Sequence, residues 1–188
     1  LRNKKMIANI KYTDTQIGKI LKEATIIIDK REQNCDKIIE YFDKKKIKYV
    51  RRSLEFCDYS IMLNKNEELG IPFDMSFEKS VAVELKHSGC SGLDELAGNF
   101  TDGRTAFENE FIRAMSFGCK VYLVVSDGSW EKIENHKYQS LLNEKAFYNS
   151  MLSFAWKYNI HIHFIREEDL GKHIHRILIV ALKKLLET

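Results

Sequence analysis

Proline is almost missing from this chain. Pro72 is the only one in 188 residues, so no proline-rich linker divides it. No apolar run approaches the roughly 20 residues that a helix needs to span a bilayer, so no membrane partner is expected. The four cysteines, Cys35, Cys57, Cys90 and Cys119, are widely spaced, and no pair has zinc-ligand or redox-motif spacing. Reduced thiols in an intracellular protein are the natural reading: cytoplasmic, or nuclear in a eukaryotic host. The start, Leu1-Arg2-Asn3-Lys4-Lys5, is not followed by an apolar stretch of signal-peptide type. A large net charge is also lacking, since the formal value is +3.

What is present describes a globular protein with one full core: 44% of residues are hydrophobic and 30% are charged. The charge is unevenly placed. Residues 1–60 hold fifteen Lys and Arg against nine Asp and Glu, so half of the 30 basic residues fall in the first third. Lys44-Lys45-Lys46-Ile47-Lys48, with Arg51 and Arg52, supplies most of that excess. Such a run reads as a solvated face or as a phosphate-binding footprint.

Residues 1–23 read as a polar arm, with Ile7, Ile10, Ile17, Ile20 and Leu21 on a short helix. Residues 24–29 read as a buried strand with Asp29 at its C-terminal edge. A helix with Asn34 as N-cap follows, carrying Cys35, Ile38, Ile39 and Phe42 on one face. Strands are expected over Tyr49–Phe56 and Tyr59–Leu63, with Asp58 at the turn between them, and an exposed loop over Asn64–Lys79. Next come a short helix at Leu93–Phe100 and a helix opened by a Thr105–Glu108 capping box, with Phe107, Phe111, Ala114 and Met115 on one side and Gly118 at its end. A buried strand at Cys119–Ser126, a long helix from Tyr138 to Tyr158, a strand at His161–Ile165 and a final helix from Glu167 to Glu187 complete the chain. The alternation argues an α/β fold with a mixed sheet covered by helices. His161 and His163 share a strand face and read as structural or surface residues. The apolar face of the last helix reads as core, with a homodimer seam as its alternative.

The chemistry gathers at Val81-Ala-Val-Glu-Leu-Lys86. The run is β-branched, as strands prefer, and Glu84 and Lys86 project from one face. Alone they read as an ion pair or as a metal ligand beside a water-orienting lysine. Asp29 and Asp58 also lie at strand ends or turns. Carboxylates clustered at one sheet edge would attract Mg²⁺ or Mn²⁺, which prefer oxygen ligands. A metal so held activates water and neutralises a phosphoryl group.

The series Ile28-Asp29-Lys30-Arg31-Glu32, Cys57-Asp58-Tyr59, Val83-Glu84-Leu85-Lys86 and Asp102-Gly103-Arg104 resembles the XPF-type structure-specific DNA endonucleases, in order and approximate spacing over roughly residues 25–130. The resemblance implies a restriction-endonuclease-like α/β fold, a mixed central sheet flanked by helices. It implies a nuclease domain over 24–188, after the arm at 1–23, with a helical C-terminal part at 138–188 that the motifs do not reach. It implies metal-dependent cleavage of branched or single-strand-containing DNA. Asp58 and Glu84 would be the principal metal ligands, with the backbone carbonyl of Leu85 and with Asp29 as further candidates. Lys86 would position the attacking water. Arg31 and Glu32 would border the site, and Arg104 would grip a phosphate. Lys45, Lys48, Arg51 and Arg52 would bind the DNA backbone.

Three departures stand out. Cys57 replaces a Gly, which is tolerable if φ there is negative. Leu85 replaces an Arg. The Asp expected four residues after the Lys is absent, and Asp94 lies eight after Lys86, displaced by a loop insertion with His87, Ser88, Gly89 and Gly92 between. Asp94 is the candidate for that role. The alternatives are a nuclease-fold DNA-binding or scaffold module without catalysis, and a Holliday junction resolvase or recombination nuclease.

Overall fold

Isoleucine repeated three times after Thr25 favours extended backbone and tolerates burial on both faces. In a computed structural model, which describes residues 12–87 and 91–187, it does both. The arm residues Ile7 and Ile10 and the loop residues Ser88, Gly89 and Cys90 lie outside the described residues. The structure is mixed α/β, with a sheet of seven strands flanked by helices, as expected. Two compact units divide it, residues 1–82 with 171–188, and residues 83–170.

In the first unit, helix α1 (Asp14–Glu23) is opened by a Thr13–Gln16 capping box and buries Ile17 and Ile20. Strand β1 (Thr25–Ile28) is buried at all four positions. It pairs in parallel with β2 (Lys48–Arg51) and antiparallel with β3 (Tyr59–Leu63). The β1–β2 crossover is α2 (Asp36–Lys45), which buries Ile38 and Phe42. Cys35, not Asn34, stands at the N-cap, without a side-chain bond. The Asn34 backbone N–H instead donates to Glu32 Oε1 at 3.0 Å. The second strand stops at Arg51 rather than Phe56, because Leu54 N–H is drawn to the Asp29 carboxylate at 2.6 Å.

Residues 64–79 are more ordered than a plain exposed loop. They contain a 3₁₀ turn at Glu67–Leu69, the short strand β4 (Met75–Ser76) on β3, and buried Ile71, Met75 and Phe77. Strand β5 (Val81–Lys86) is buried throughout, and Ser60 Oγ donates to Val81 O at 2.8 Å at its start.

In the second unit, α3 (Gly92–Phe100) and α4 (Arg104–Ser116) follow β5, and β6 (Lys120–Ser126) lies beside it. Gly103 caps α4 without a side-chain bond, so the Thr105–Glu108 box does not form. Glu108 is taken by Arg104 at 3.1 Å and by Lys157 at 3.6 Å. Met115 is exposed, although Phe107, Phe111 and Ala114 are buried. The long helix expected from Tyr138 is divided. A short α5 (Trp130–Glu134) precedes an irregular stretch, and α6 runs only from Glu144 to Tyr158. Asn143 caps it by accepting from Lys145 and Ala146 N–H, while Tyr138 OH turns back to Leu142 O. Strand β7 (His161–Ile165) runs parallel to β6. Phe100, Phe107, Phe111, Phe147, Phe154 and Tyr158 form an aromatic core between α3, α4 and α6, with neighbouring ring centroids 4.5–6.0 Å apart. Such pairs add roughly 0.5–1.5 kcal/mol each beyond their burial.

Helix α7 (Leu170–Leu186) buries Leu170, Ile174, Ile177, Leu178, Leu182 and Leu186. Gly171 in its first turn is a close-approach residue, since a Cβ there would stand 3.0 Å from the Tyr41 side chain of α2.

Candidate active site

At the end of β1, Asp29 is 1% exposed, and its carboxylate is fully used. Oδ1 accepts from Arg31 N–H at 2.7 Å and from Arg31 Nε at 2.8 Å. Oδ2 accepts from Leu54 N–H at 2.6 Å and Arg31 Nη2 at 3.2 Å. Burial pushes this carboxyl up, but the Arg31 and Leu54 bonds outweigh it and hold it below the usual range. The Asp29 N–H donates to Asp58 O at 2.7 Å, continuing the β1–β3 register by one residue.

Asp58 itself is half-buried, and it follows Cys57, whose φ is +60°. The condition under which a Cys would replace the Gly without cost, a negative φ, is therefore not met. The turn needs the left-handed conformation that glycine adopts freely, and a cysteine there carries about 1–2 kcal/mol of strain. Arg51 donates to Glu32 O and to Cys35 Sγ, each at 2.8 Å. Arg52 pairs with Glu78, and Lys48 with Glu23. Lys45 is exposed on the last turn of α2. Three of the four basic residues read as a phosphate footprint thus already have partners in the fold.

The end of β5 is built differently. Alternation along the strand sends Glu84 and Lys86 to one face and Leu85, also buried, to the other. Glu84 is 3% exposed. Its Oε1 pairs with Lys86 Nζ at 2.7 Å, and its Oε2 is buried without a hydrogen-bond partner. Lys86 Nζ also reaches Glu95 Oε1 at 3.1 Å and lies 5.1 Å from the centroid of the Phe107 ring. The other Glu95 oxygen accepts from His87 N–H at 3.1 Å. The lysine is thus fixed from three sides. A carboxylate oxygen of Glu110, half-buried on α4, lies within 4.8 Å of one of Glu84. Burial raises the Glu84 carboxyl most; Lys86 lowers it, and Glu110 and Glu95 raise it further, leaving it at about 7.

Gly92 sets the floor of this corner. A Cβ there would stand 2.0 Å from Lys86 O and 2.9 Å from Ser126 N, so only glycine lets α3 start against β5 and β6. That start places Glu95 on Lys86. Asp94, the acid the motif pointed to, accepts from Gln139 N–H at 2.6 Å instead. Arg104 lies exposed at the start of α4, held by Glu108. His161 stacks on Tyr122 and His163 meets it edge-on, with ring centroids at 5.0 and 5.5 Å.

Glu95 and Glu110 are the residues that motif reading missed. Glu95 sits one residue past the acid chosen for the motif, after an insertion whose length sequence alone does not place. Glu110 had a readable signal. It interrupts the apolar stripe Phe107, Phe111, Ala114 at helical spacing, where an acid is out of place.

The carboxylate oxygens here, one of them buried and unpartnered, suit a hard divalent cation. Among the described residues no helix is long and apolar enough to cross a membrane.

Residues 28–177 match the ERCC4 domain model. The chain is also similar to the solved structure of XPF from Aeropyrum pernix, with a TM-score of 0.59 and 17% identity over 86% of this chain and 66% of that one. The same protein in complex with DNA matches with a TM-score of 0.58 and 16% identity over 85% of this chain and 66% of that one. The chain thus spans just under two thirds of those structures' length. These likenesses bear out the XPF-type resemblance and the restriction-endonuclease-like sheet. No curated protein matches the sequence.

Proposed function

Because the chain belongs to the ERCC4 domain family, we propose that it is a divalent-metal-dependent DNA endonuclease that hydrolyses phosphodiester bonds in branched or single-strand-containing DNA. One observation carries this reading: at the end of β5, the buried carboxylate of Glu84 has an oxygen without a partner and stands beside a lysine held from three sides. A structural ion pair has no need of an unsatisfied oxygen, whose burial costs about 1–3 kcal/mol or more.

Glu84 would hold Mg²⁺ or Mn²⁺. Asp58 and the Leu85 carbonyl are assigned as further ligands from the motif resemblance. Bound there, the ion would supply Lewis-acid charge, lowering the pKa of a water and neutralising developing charge on phosphorus. Lys86, oriented by Glu84 and Glu95, would hold the attacking water in line with the phosphodiester. Asp29 has its lone pairs filled, so its role is to position Arg31 and the chain at Leu54 rather than to ligate. Arg104, on the first turn of a 13-residue helix, would add a cation and the helix N-terminus to phosphate binding. Lys45 would meet the DNA backbone directly, and Lys48, Arg51 and Arg52 by exchanging their present partners, so affinity should fall steeply with salt. Residues 24–188 would form the nuclease domain, acting inside the cell, with pairing to a second copy an open arrangement for binding junctions.

The test is a substrate panel of duplex, flap, fork, four-way junction and single strand, with Mg²⁺ or EDTA. Metal-dependent cutting that favours the branched substrates is expected. Binding without cutting under every condition would point instead to a scaffold module that keeps the fold.

A further inference from the structure

Helix α6 turns to solvent a face that its packing does not explain. Its inner side buries Phe147, Met151, Phe154 and Tyr158. On the opposite side Lys145, Asn149, Leu152 and Trp156 fall at i, i+4, i+7 and i+11, a single stripe about 16 Å long. Trp156 is 90% exposed and Leu152 47%. A tryptophan so placed adds nothing to the core and leaves its ring in water.

The chemistry of the stripe favours one occupant. The core of a protein seam is depleted of charge, whereas here Leu152 and Trp156 share the face with a cation and a carboxamide. In its 15 residues α6 carries two lysines, Lys145 and Lys157, and one acid, Glu144. That acid is already met by His136 Nδ1 at 2.7 Å and by Asn143 Nδ2 at 3.1 Å. An exposed aromatic ring beside cations suits an unpaired nucleic-acid strand, whose bases stack and whose phosphates meet the lysines. At the N-terminal end of the stripe a cavity of about 320 Å³ opens, lined by Glu134, Glu144, Lys145, Tyr148 and Asn149. Trp130 backs the Tyr148 ring, with centroids 4.7 Å apart. The cavity therefore offers an aromatic ring, a cation and several hydrogen-bond acceptors. Ionised carboxylates only accept, so a base with an exocyclic amino group fits there, and thymine, which has none, fits less well.

We infer that the outer face of α6 is a track for single-stranded DNA. Trp156 and Leu152 take the faces of unpaired bases, Lys145 takes a phosphate, and the cavity at Glu134 and Asn149 takes one amino-bearing base. The inference rests on the DNA-cleaving reading above and deepens it, since it gives the chain a means of telling a substrate with an unpaired segment from plain duplex.

Fluorescence anisotropy of labelled oligonucleotides on the full chain, in EDTA, tests it. The probes are a cytosine strand, a thymine strand and a duplex. Trp156→Ala is expected to weaken binding of both single strands on the order of 10-fold or more and to leave duplex affinity unchanged. Wild type should prefer the cytosine strand, and Glu134→Ala with Asn149→Ala, two exposed positions, should erase that preference. Equal single-strand binding by Trp156→Ala and wild type would overturn the track. A cytosine preference that survives the double variant would overturn the cavity's part in it. If wild type sediments as a dimer and Trp156→Ala as a monomer, the face is a subunit seam and the inference falls. If wild type binds none of the three DNAs, the DNA-cleaving reading itself falls.

Discussion

Two strand ends carry buried carboxylates, and they are built to opposite specifications. Asp29, at the end of β1, accepts four hydrogen bonds, and its carboxyl is held below the usual range. Glu84, at the end of β5, has one oxygen satisfied by Lys86 and one satisfied by nothing, and its carboxyl is pushed up to about 7. Solvent exposure is nearly equal in the two. The difference lies in depth and in donors: Glu84 is the more deeply desolvated, backbone N–H groups and a guanidinium surround the first, and other carboxylates stand near the second. A carboxylate whose lone pairs are filled organises the chain around it. One whose lone pair is left open in the interior is held ready for something else.

The largest expected effect breaks the contrast at its open end. Glu84→Gln keeps the shape and removes the charge, and cleavage of a flap or fork substrate in Mg²⁺ should fall on the order of 10³-fold or more. Equal binding of that DNA by variant and wild type, in a gel shift with EDTA, would place the loss in chemistry. Full cleavage by the variant would remove Glu84 from the site.

Gly92→Ala attacks the same corner through the backbone. Its Cβ would meet Lys86 O at 2.0 Å, and the strand and helix must separate. A loss of about 3 kcal/mol or more in urea denaturation is expected, with cleavage reduced in parallel because Glu95 leaves Lys86. Next comes the closed end. Asp29→Asn loses the charge that binds Arg31 and puts an amide N–H₂ where acceptors are needed, so it should cost about 2–3 kcal/mol. If Asp29→Asn left stability unchanged but abolished metal binding, the roles assigned to the two carboxylates would be reversed.

A pH series sharpens the comparison, because the two groups have opposite signs. The lowered carboxyl of Asp29 adds stability that is complete above the ordinary carboxylate range and is lost as pH falls through its depressed value. The raised carboxyl of Glu84 keeps its proton in the folded chain after the unfolded chain has released it. In EDTA its contribution to stability therefore declines as pH rises from about 4.5 to about 7, by at most about 1.4 kcal/mol per unit, and is flat above. Denaturation midpoints from pH 3 to 8 should show the acid limb disappear in Asp29→Asn and the neutral limb disappear in Glu84→Gln.

The smallest effect concerns the turn before Asp58. Cys57→Gly should stay within about 1 kcal/mol of wild type, since relief of the left-handed strain offsets the freer unfolded chain and the lost side chain. Cys57→Val, β-branched at φ +60°, should cost about 1–3 kcal/mol. Equal stability of the two variants would mean that the turn relaxes to another conformation.

Period-2 and period-3.6 hydrophobic patterns are local, and they marked what depends on them. The strands Tyr59–Leu63 and His161–Ile165 lie where alternation and β-branching put them, and helix α3 falls within a residue of its expected span. The order of motifs was equally local, and it was enough to point to the family. Glu84 and Lys86 shared a face because a strand's geometry leaves no other choice.

Tertiary structure decided what distant partners compete for. Leu54 is pulled out of a strand by Asp29, Glu108 is drawn from its cap by Arg104 and Lys157, and Tyr138 folds back on Leu142 where a helix was expected. Each time a side chain found a stronger partner than its local one. The same holds at the site. Residues 84 to 86 name an acid and a base in sequence, but not which acids gather around them. Glu95 reaches Lys86 only because Gly92 lets α3 begin against the strand, and Glu110 nears Glu84 only because α4 turns its stripe inward. Sequence determined that β5 carries a carboxylate and a lysine on one face. Only the packing of α3 and α4 decided that one oxygen of that carboxylate is buried with nothing to bind, because solvation is a property of everything that surrounds an atom in space.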